Sequence, residues 1–380
     1  MNILHVINTC DPKSGGPIEG IKQLYQIYKK KNIYAEILSS DTLKKAKKFQ
    51  LDLPLINATG PSKSKFNFNP NLLKWLKKNI HRFDHIIIEG IWLYHNYAVW
   101  KVAVNKKIPY SIFPHGSLDP WFKKKYPIKH FKKKILWYVF QKKIFQNANN
   151  IFFTTNTEKE LAYKTFNLKN MNCKVLNYGI NGNVHLNDNL NLFYLKYPKL
   201  KSKKIIVFMS RIHEKKGLDI LIKTFLETST INQNLHLVIA GTGEKQLIKK
   251  LKSLIPQNKK KDITWTGILL GKIKWDLLKC SYLFCLPSHQ ENFGISVAEA
   301  LSSKIPVLIT NEINIHKKIT EYNAGIVSQD KLNIYKKDFK KIIELLKINQ
   351  KKISNNSLNC FKNEFYIENY YNKLIKNLIL

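Results

Sequence analysis

Apolar residues fall along this chain in short continuous runs, separated by stretches in which they recur every three or four positions. The runs suit strands buried on both faces, and the spaced stretches suit helices with one apolar face. Strands are predicted at residues 3–8, 34–38, 84–89, 109–113, 150–153 and 174–177. A polar segment without a period, 181–203, reads as a linker, and the same pattern then restarts. The second set lies at 204–209, 235–240, 263–267, 282–287, 306–310 and 324–327. Helical patterns lie between them. After Pro17, for example, Ile18, Ile21, Leu24 and Tyr28 share a face, and so do Leu218, Leu221, Ile222 and Phe225 further on. Strands alternating with helices predict parallel sheets covered on both sides. The expected class is α/β, with two doubly wound domains at 1–185 and 186–365. Amphipathic helices close the chain at 332–346 and 366–379.

Composition narrows this only slightly. A chain of 380 residues with 44% hydrophobic residues has ample core for two domains and is not a disordered polymer. No run of 18 apolar residues occurs, and residues 1–6 read as a strand opening rather than a signal peptide. The five cysteines have no ligand-like spacing and read as reduced, mostly buried thiols, so the expected location is the cytoplasm. The formal charge of +38 invites a nucleic-acid reading. Lysine is dispersed along the chain, however, beside abundant Asn and Ile, which is a composition bias rather than a binding patch. We therefore expect no nucleic-acid partner, although a basic nucleic-acid-binding protein remains an alternative. Arginine is almost absent: Arg82 and Arg211 are the only two. Where lysine serves for nearly every positive charge, an arginine points to a need for its planar fork.

The chemistry concentrates in residues 286–310, where strand, polar loop, helix and strand follow one another. Glu291 lies in the loop and Glu299 in the helix, eight residues apart. Eight helical residues span roughly 12 Å, about the reach of a nucleotide sugar from ribose to hexose. Between the two acids, the first amides of the helix near Gly294, Ile295 and Ser296 lack partners within the helix and suit a diphosphate. Arg211 and Lys216 stand five residues apart around a turn and could face one diphosphate, the arginine by a fork and the lysine as a point charge. Gly15 and Gly16 open a helix after the first strand, where backbone can approach an anion, or where an ordinary tight turn would serve.

Several of these segments carry a resemblance. Glu291 and Glu299 around Phe293-Gly294 resemble the Glu-x7-Glu motif of the retaining family 4 glycosyltransferases. Residues 113–121, Phe-Pro-His-Gly-Ser-Leu-Asp-Pro-Trp, resemble the Pro-His-Gly segment of bacterial polysaccharide glycosyltransferases. Residues 210–217 are similar to the Gly-Arg-Leu-x5-Gly segment, with Ser210 in place of glycine, and Gly241-Thr242-Gly243 resembles the Gly-x-Gly loop. Residues 175–181 match the turn that closes the first domain in this family, except at Asn177, Tyr178 and Asn181. The resemblance covers nearly the whole chain. It implies the GT-B fold, two Rossmann-like domains facing across a cleft, with the last helix, 366–380, packing back on the first domain.

The resemblance also implies roles. Glu299 would hold ribose hydroxyls and Glu291 sugar hydroxyls. Backbone of Asn292, Phe293, Gly294, Ile295 and Ser296 would meet sugar and phosphates. Arg211 and Lys216 would stabilise the leaving diphosphate, and His115 would support the transferred sugar. The glycine loops at Gly15-Gly16 and Gly241–Gly243 would lie by the donor, and the loop at 268–271, with Leu269, by the base. No Asp-x-Asp occurs, in keeping with metal-independent transfer and no cofactor beyond the donor itself, a UDP- or GDP-hexose. The implied acceptor is a saccharide or lipid-linked saccharide, in lipopolysaccharide O-antigen, capsule or exopolysaccharide biosynthesis. Alternatives within the fold are a sugar-nucleotide epimerase and a sugar-phosphate synthase. Residues 121–145 mix Trp121, Phe122, Phe131, Trp137, Tyr138 and Phe140 with lysines. They read first as a helix with a buried aromatic stripe and a solvated lysine face. They also suit peripheral contact with anionic lipid on the inner face of the plasma membrane.

Overall fold

A computed structural model describes residues 1–121, 123, 127–183, 189–228 and 234–379. The chain divides into two compact units. One is Met1–Ile180 together with the final helix, Ile367–Ile379; the other is Asn181–Tyr366.

The first unit holds a parallel sheet of seven strands: β1 (Asn2–Ile7), β2 (Tyr34–Ser39), β3 (Leu55–Ala58), β4 (His85–Glu89), β5 (Tyr110–Phe113), β6 (Asn150–Phe153) and β7 (Cys173–Val175). Their order is β3-β2-β1-β4-β5-β6-β7. The chain winds outward one way from β1 and then the other way from β4, so β1 and β4 flank the point where the order reverses. Loops at the carboxyl ends of such a pair diverge and leave room for ligand. Ile86, Ile87 and Ile88 of β4 are fully buried, as an apolar run between two helical layers requires. The helix Gly16–Lys30 covers one face through Ile18, Ile21, Leu24 and Tyr28. The final helix packs against that helix and buries Ile367, Tyr370, Tyr371, Leu374 and Leu378. Its first amide donates to Ile180 O at 3.0 Å.

The second unit repeats the design with six strands: β8 (Lys204–Met209), β9 (Leu235–Ala240), β10 (Ile263–Gly267), β11 (Ser281–Leu286), β12 (Val307–Thr310) and β13 (Gly325–Ser328). The order β10-β9-β8-β11-β12-β13 puts its reversal between β8 and β11. Both sheets are parallel throughout, and the class is α/β as the pattern of runs predicts.

Three stretches depart from expectation. β3 was not predicted: its Leu-Ile-Asn-Ala sequence is short, and Leu55 is exposed because the strand lies at the sheet edge. The helix expected at 332–346 is followed, across a kink at Asn349, by a second helix that ends at Cys360. In the lysine-rich segment, Phe122, Lys124 and Lys125 lie outside the described residues. Of the remainder, Trp137 is buried, but Ile128, Phe131, Ile135, Tyr138 and Val139 are exposed. The aromatic stripe is therefore divided between core and surface, not buried as a whole. Helix Pro127–Leu136 passes into a π-helical turn, Trp137–Gln141, and as consecutive helical residues Trp137 and Tyr138 point to different sides.

Candidate functional site

In the second unit the two loops that leave the reversal point carry the predicted charges. The loop after β8 holds Arg211 and Lys216, and the loop after β11 holds Glu291. They are stitched together by backbone, since His289 N donates to Lys215 O at 2.8 Å. Gly217 has φ 63°, and a Cβ there would lie 1.9 Å from Pro287 O, so glycine alone permits this approach. Lys215 Nζ also reaches Gln290 Oε1 at 3.3 Å.

Lys216 is buried, and its ammonium pairs with the Glu291 carboxylate. Burial, with Lys215 and Arg211 close by, pushes its pKa well below the ordinary lysine range. Glu291 supplies the opposing charge. Its backbone is fixed on both sides: Glu291 N donates to Glu312 O at 3.0 Å, and Asn314 N donates to Glu291 O at 3.2 Å. Arg211 is exposed, and no side chain pairs with it among the described residues. Its charge still acts on His213, whose pKa is lowered by burial and then by Arg211 and Lys215. His213 Nδ1 accepts from Lys215 N at 3.2 Å and caps the short turn Glu214–Lys216. A cation without a protein partner, beside a buried lysine already opposed by a carboxylate, is suited to an anionic ligand.

The helix Ile295–Ser302 begins directly after this loop. Its N-cap, Gly294, has φ 78° and no side chain to cap the first amides. Those of Ile295 and Ser296 are therefore open to an anion, with the helix dipole in support. Phe293 is buried against Phe365 at 5.5 Å, and Asn292 Oδ1 accepts from Asn314 Nδ2 at 3.2 Å. Glu299 is buried one turn into the helix, 2.7 Å from Lys274 Nζ. The helix starts only at Ile295, so its rise between the two acids is about 6 Å, and the turn supplies the rest.

The glycines after β9 lie against these loops. A Cβ at Gly241 would meet Ser210 O at 1.9 Å, and one at Gly243 would meet Ile212 O at 2.0 Å. Their small size lets the β9 loop lie against the backbone on either side of Arg211, which accounts for both glycines by packing alone. Leu269 is buried, while Ile268 and Leu270 beside it are exposed.

The other predicted residues belong to the first unit. Gly15 is exposed, with φ 100°, and caps the helix Gly16–Lys30 without a side-chain bond. His115 follows β5 in left-handed backbone, φ 49°. Its Nε2 lies 2.6 Å from Glu89 Oε2, and its ring stacks on Phe113 at 5.6 Å. Sequence reasoning singled out neither Lys274 nor Glu158, which accepts from Gly116 N at 2.6 Å. Each meets its partner across a distance in sequence that no local motif spans.

The comparisons with known proteins bear on family and fold. Residues 195–359 match the family model of the glycosyl transferases group 1. The second unit is a group 1 glycosyltransferase domain. Over 264 residues the chain is 24% identical to mannosylfructose-phosphate synthase of Agrobacterium fabrum, covering 63% of this chain and 56% of that protein. It is 28% identical over 134 residues to 2-deoxystreptamine N-acetyl-D-glucosaminyltransferase of Niallia circulans, 34% of each chain. The chain thus spans about half the length, or less, of these curated relatives. Among solved structures, the Anabaena protein Alr3699/HepE in complex with UDP and glucose superposes with a TM-score of 0.79. That match has 14% identity and covers 100% of this chain and 99% of the other. Identity so low establishes the fold, which is GT-B, for both units. Within the group 1 domain, the two loops and the helix tip described above are the parts that converge on the reversal point of the sheet.

Proposed function

We propose that this chain is a retaining, metal-independent glycosyltransferase of family 4. It moves a hexose from a nucleotide-diphosphate sugar to a saccharide or lipid-linked saccharide acceptor in cell-surface polysaccharide biosynthesis. One observation carries the reading: partnerless Arg211, buried Lys216 and the uncapped tip of the Ile295–Ser302 helix gather at one reversal point. Arg211, Lys216 and the helix amides take up charge on the departing diphosphate, which is electrostatic stabilisation of a leaving group. Glu299 binds a vicinal diol of the ribose, because a carboxylate accepts two such hydrogen bonds. Glu291 holds hydroxyls of the transferred sugar, and His115 supports that sugar.

Lysines 132–134, 142 and 143, beside exposed Phe131 and Tyr138, support peripheral contact with anionic lipid at the inner face of the membrane. No described helix is long and apolar enough to cross a membrane. A second acceptor class, a sugar phosphate, is favoured by the relative that covers most of this chain, a mannosylfructose-phosphate synthase.

The test is a panel of UDP- and GDP-sugars, each with no acceptor, a saccharide or a sugar phosphate. Release of a nucleoside diphosphate from one donor, stimulated by a saccharide, supports the proposal. Stimulation by sugar phosphate alone selects the second reading. No release from any donor, with a folded protein, overturns both.

A further inference from the structure

Glu89 ends β4 beside Ile7 of β1, at the reversal point of the first sheet. Its side chain is 5% exposed, and each oxygen has a histidine. Oε1 lies 2.9 Å from His5 Nδ1, and Oε2 lies 2.6 Å from His115 Nε2. His5 Nε2 in turn lies 3.3 Å from the Tyr28 hydroxyl. Burial opposes charge on Glu89, but the hydrogen bonds from His115 and His5 outweigh it and hold its pKa at about 2. The carboxylate is therefore ionised, and an ionised carboxylate only accepts. His5 Nδ1 and His115 Nε2 must both carry protons.

The remaining assignments follow from that proton count. In neutral His5, Nε2 is the acceptor for the Tyr28 O–H. In neutral His115, Nδ1 carries the lone pair, and no protein group bonds to it among the described residues. In their neutral form, two rings on one carboxylate are thus held in opposite tautomers. The neighbouring groups cannot disturb this by taking the charge. Burial first, then charged and polar neighbours that include Glu89, raise the pKa values of Tyr28, Tyr178 and Tyr370. Burial lowers His95 to about 4, so that ring is neutral. Glu19 on the first helix is felt at Tyr178.

The ring of His115 is also fixed in space. Phe113 stacks on it, and Tyr178 meets it edge-on at 6.1 Å. Its backbone is gripped by a second carboxylate: Glu158 Oε1 accepts from Gly116 N, and Oε2 accepts from Thr154 N and Oγ1, both at 2.7 Å. A left-handed backbone at a non-glycine residue is costly and is retained where its surroundings enforce it. Along His115–Glu89–His5, every ring nitrogen and both carboxylate oxygens are engaged except His115 Nδ1.

We propose that Glu89 is a positioning residue: it accepts the hydrogen bond from His115 Nε2–H and so leaves the Nδ1 lone pair to accept a hydrogen bond from a hydroxyl of a saccharide ligand. The saccharide rests on the glycosyl-transfer reading; the tautomer pair does not.

Long-range proton–nitrogen correlation spectra of the full chain, labelled at its 11 histidines, test the pair directly. The two rings are assigned by His5→Gln and His115→Gln. The expected result is Nε2–H at His115 and Nδ1–H at His5. Tyr28→Phe leaves the His115 tautomer unchanged. Glu89→Gln, which offers one acceptor and one donor, releases the fixed tautomer of at least one ring. It also lowers kcat about 100-fold, with KM for the nucleotide sugar within about threefold, as loss of orientation does. If Glu89→Gln fails to fold, the wild-type spectrum decides alone. An Nδ1–H tautomer at His115, or unchanged ring signals and kcat in folded Glu89→Gln, overturns the proposal while nucleotide release by the wild type continues. A wild type that releases no nucleotide overturns the glycosyl-transfer reading instead, and the expected tautomers in that protein still support the positioning by Glu89.

Discussion

The pair Lys216–Glu291 makes an asymmetric prediction. Side-chain exposure is 8% for Lys216 and 19% for Glu291, so the lysine is the partner more dependent on the contact. Glu291→Gln keeps the shape of the loop and removes the opposing charge. Removing one partner of a buried pair costs about 3–5 kcal/mol, because the other charge stays buried alone. Two features lower that here. Water already reaches Glu291, and burial with Lys215 and Arg211 has pushed the Lys216 pKa down, so deprotonation offers an escape. The expected loss is about 2–3 kcal/mol. Lys216→Met instead keeps the packed stem and leaves a carboxylate that water can solvate; about 0–1 kcal/mol is expected. For a unit of this size each kcal/mol shifts Tm by about 2–4 °C, so calorimetry on the full chain separates the two variants. The sign of the pH dependence is a further check. A lysine whose folded pKa is depressed penalises the fold while it is charged, and the penalty fades as pH rises from the folded pKa toward the unfolded value. The deficit of Glu291→Gln therefore shrinks in alkali. Equal losses in the two variants, or a larger loss in Lys216→Met, would refute the reasoning.

Arg211→Ala removes an exposed guanidinium that no side chain engages, so stability stays within about 0.5 kcal/mol. Turnover falls by about 2–4 kcal/mol of barrier, and near-wild-type kcat would discard the role assigned to it. Glu89, held at about 2 against an ordinary 4.5, contributes (4.5 − 2) × 1.36, or about 3 kcal/mol, that is full above pH 4.5 and lost as pH falls toward 2. Urea unfolding of wild type and Glu89→Gln at pH 7 and at pH 3 should therefore show a narrowing gap; a constant gap would contradict the assignment. Vesicles containing phosphatidylserine should sediment the wild type more than neutral vesicles do, and Phe131→Ser with Tyr138→Ser should weaken this, since insertion and charge act together. Indifference to lipid charge ends the membrane reading.

What the sequence made legible, and what it hid, divides along contact distance. β4 and β9 announced themselves because strands covered on both faces are rich in apolar residues, and such runs survive without context. β3, covered on one edge only, had no such obligation. The same division holds in the site. Glu291, Gly294 and Glu299 could be read together because loop and helix are contiguous, and Arg211 stood out because lysine does the ordinary work elsewhere. Lys274 meets Glu299 from 25 residues away, Glu158 meets Gly116 from 42, and Glu89 meets His5 from 84. Those meetings depend on the order in which strands lie in the sheet, which no local pattern records. The reversal between β1 and β4 brings His5 beside Glu89, as the reversal between β8 and β11 brings Lys216 beside Glu291. Each unit therefore places a carboxylate and a buried basic partner at the same topological position. In the second unit the basic partner is a lysine, and in the first it is a pair of imidazoles. An ammonium suits an anionic group, and a neutral ring nitrogen suits a hydroxyl. On the function proposed above, the difference between the two reversal points is the chemical difference between holding a donor diphosphate and holding a sugar.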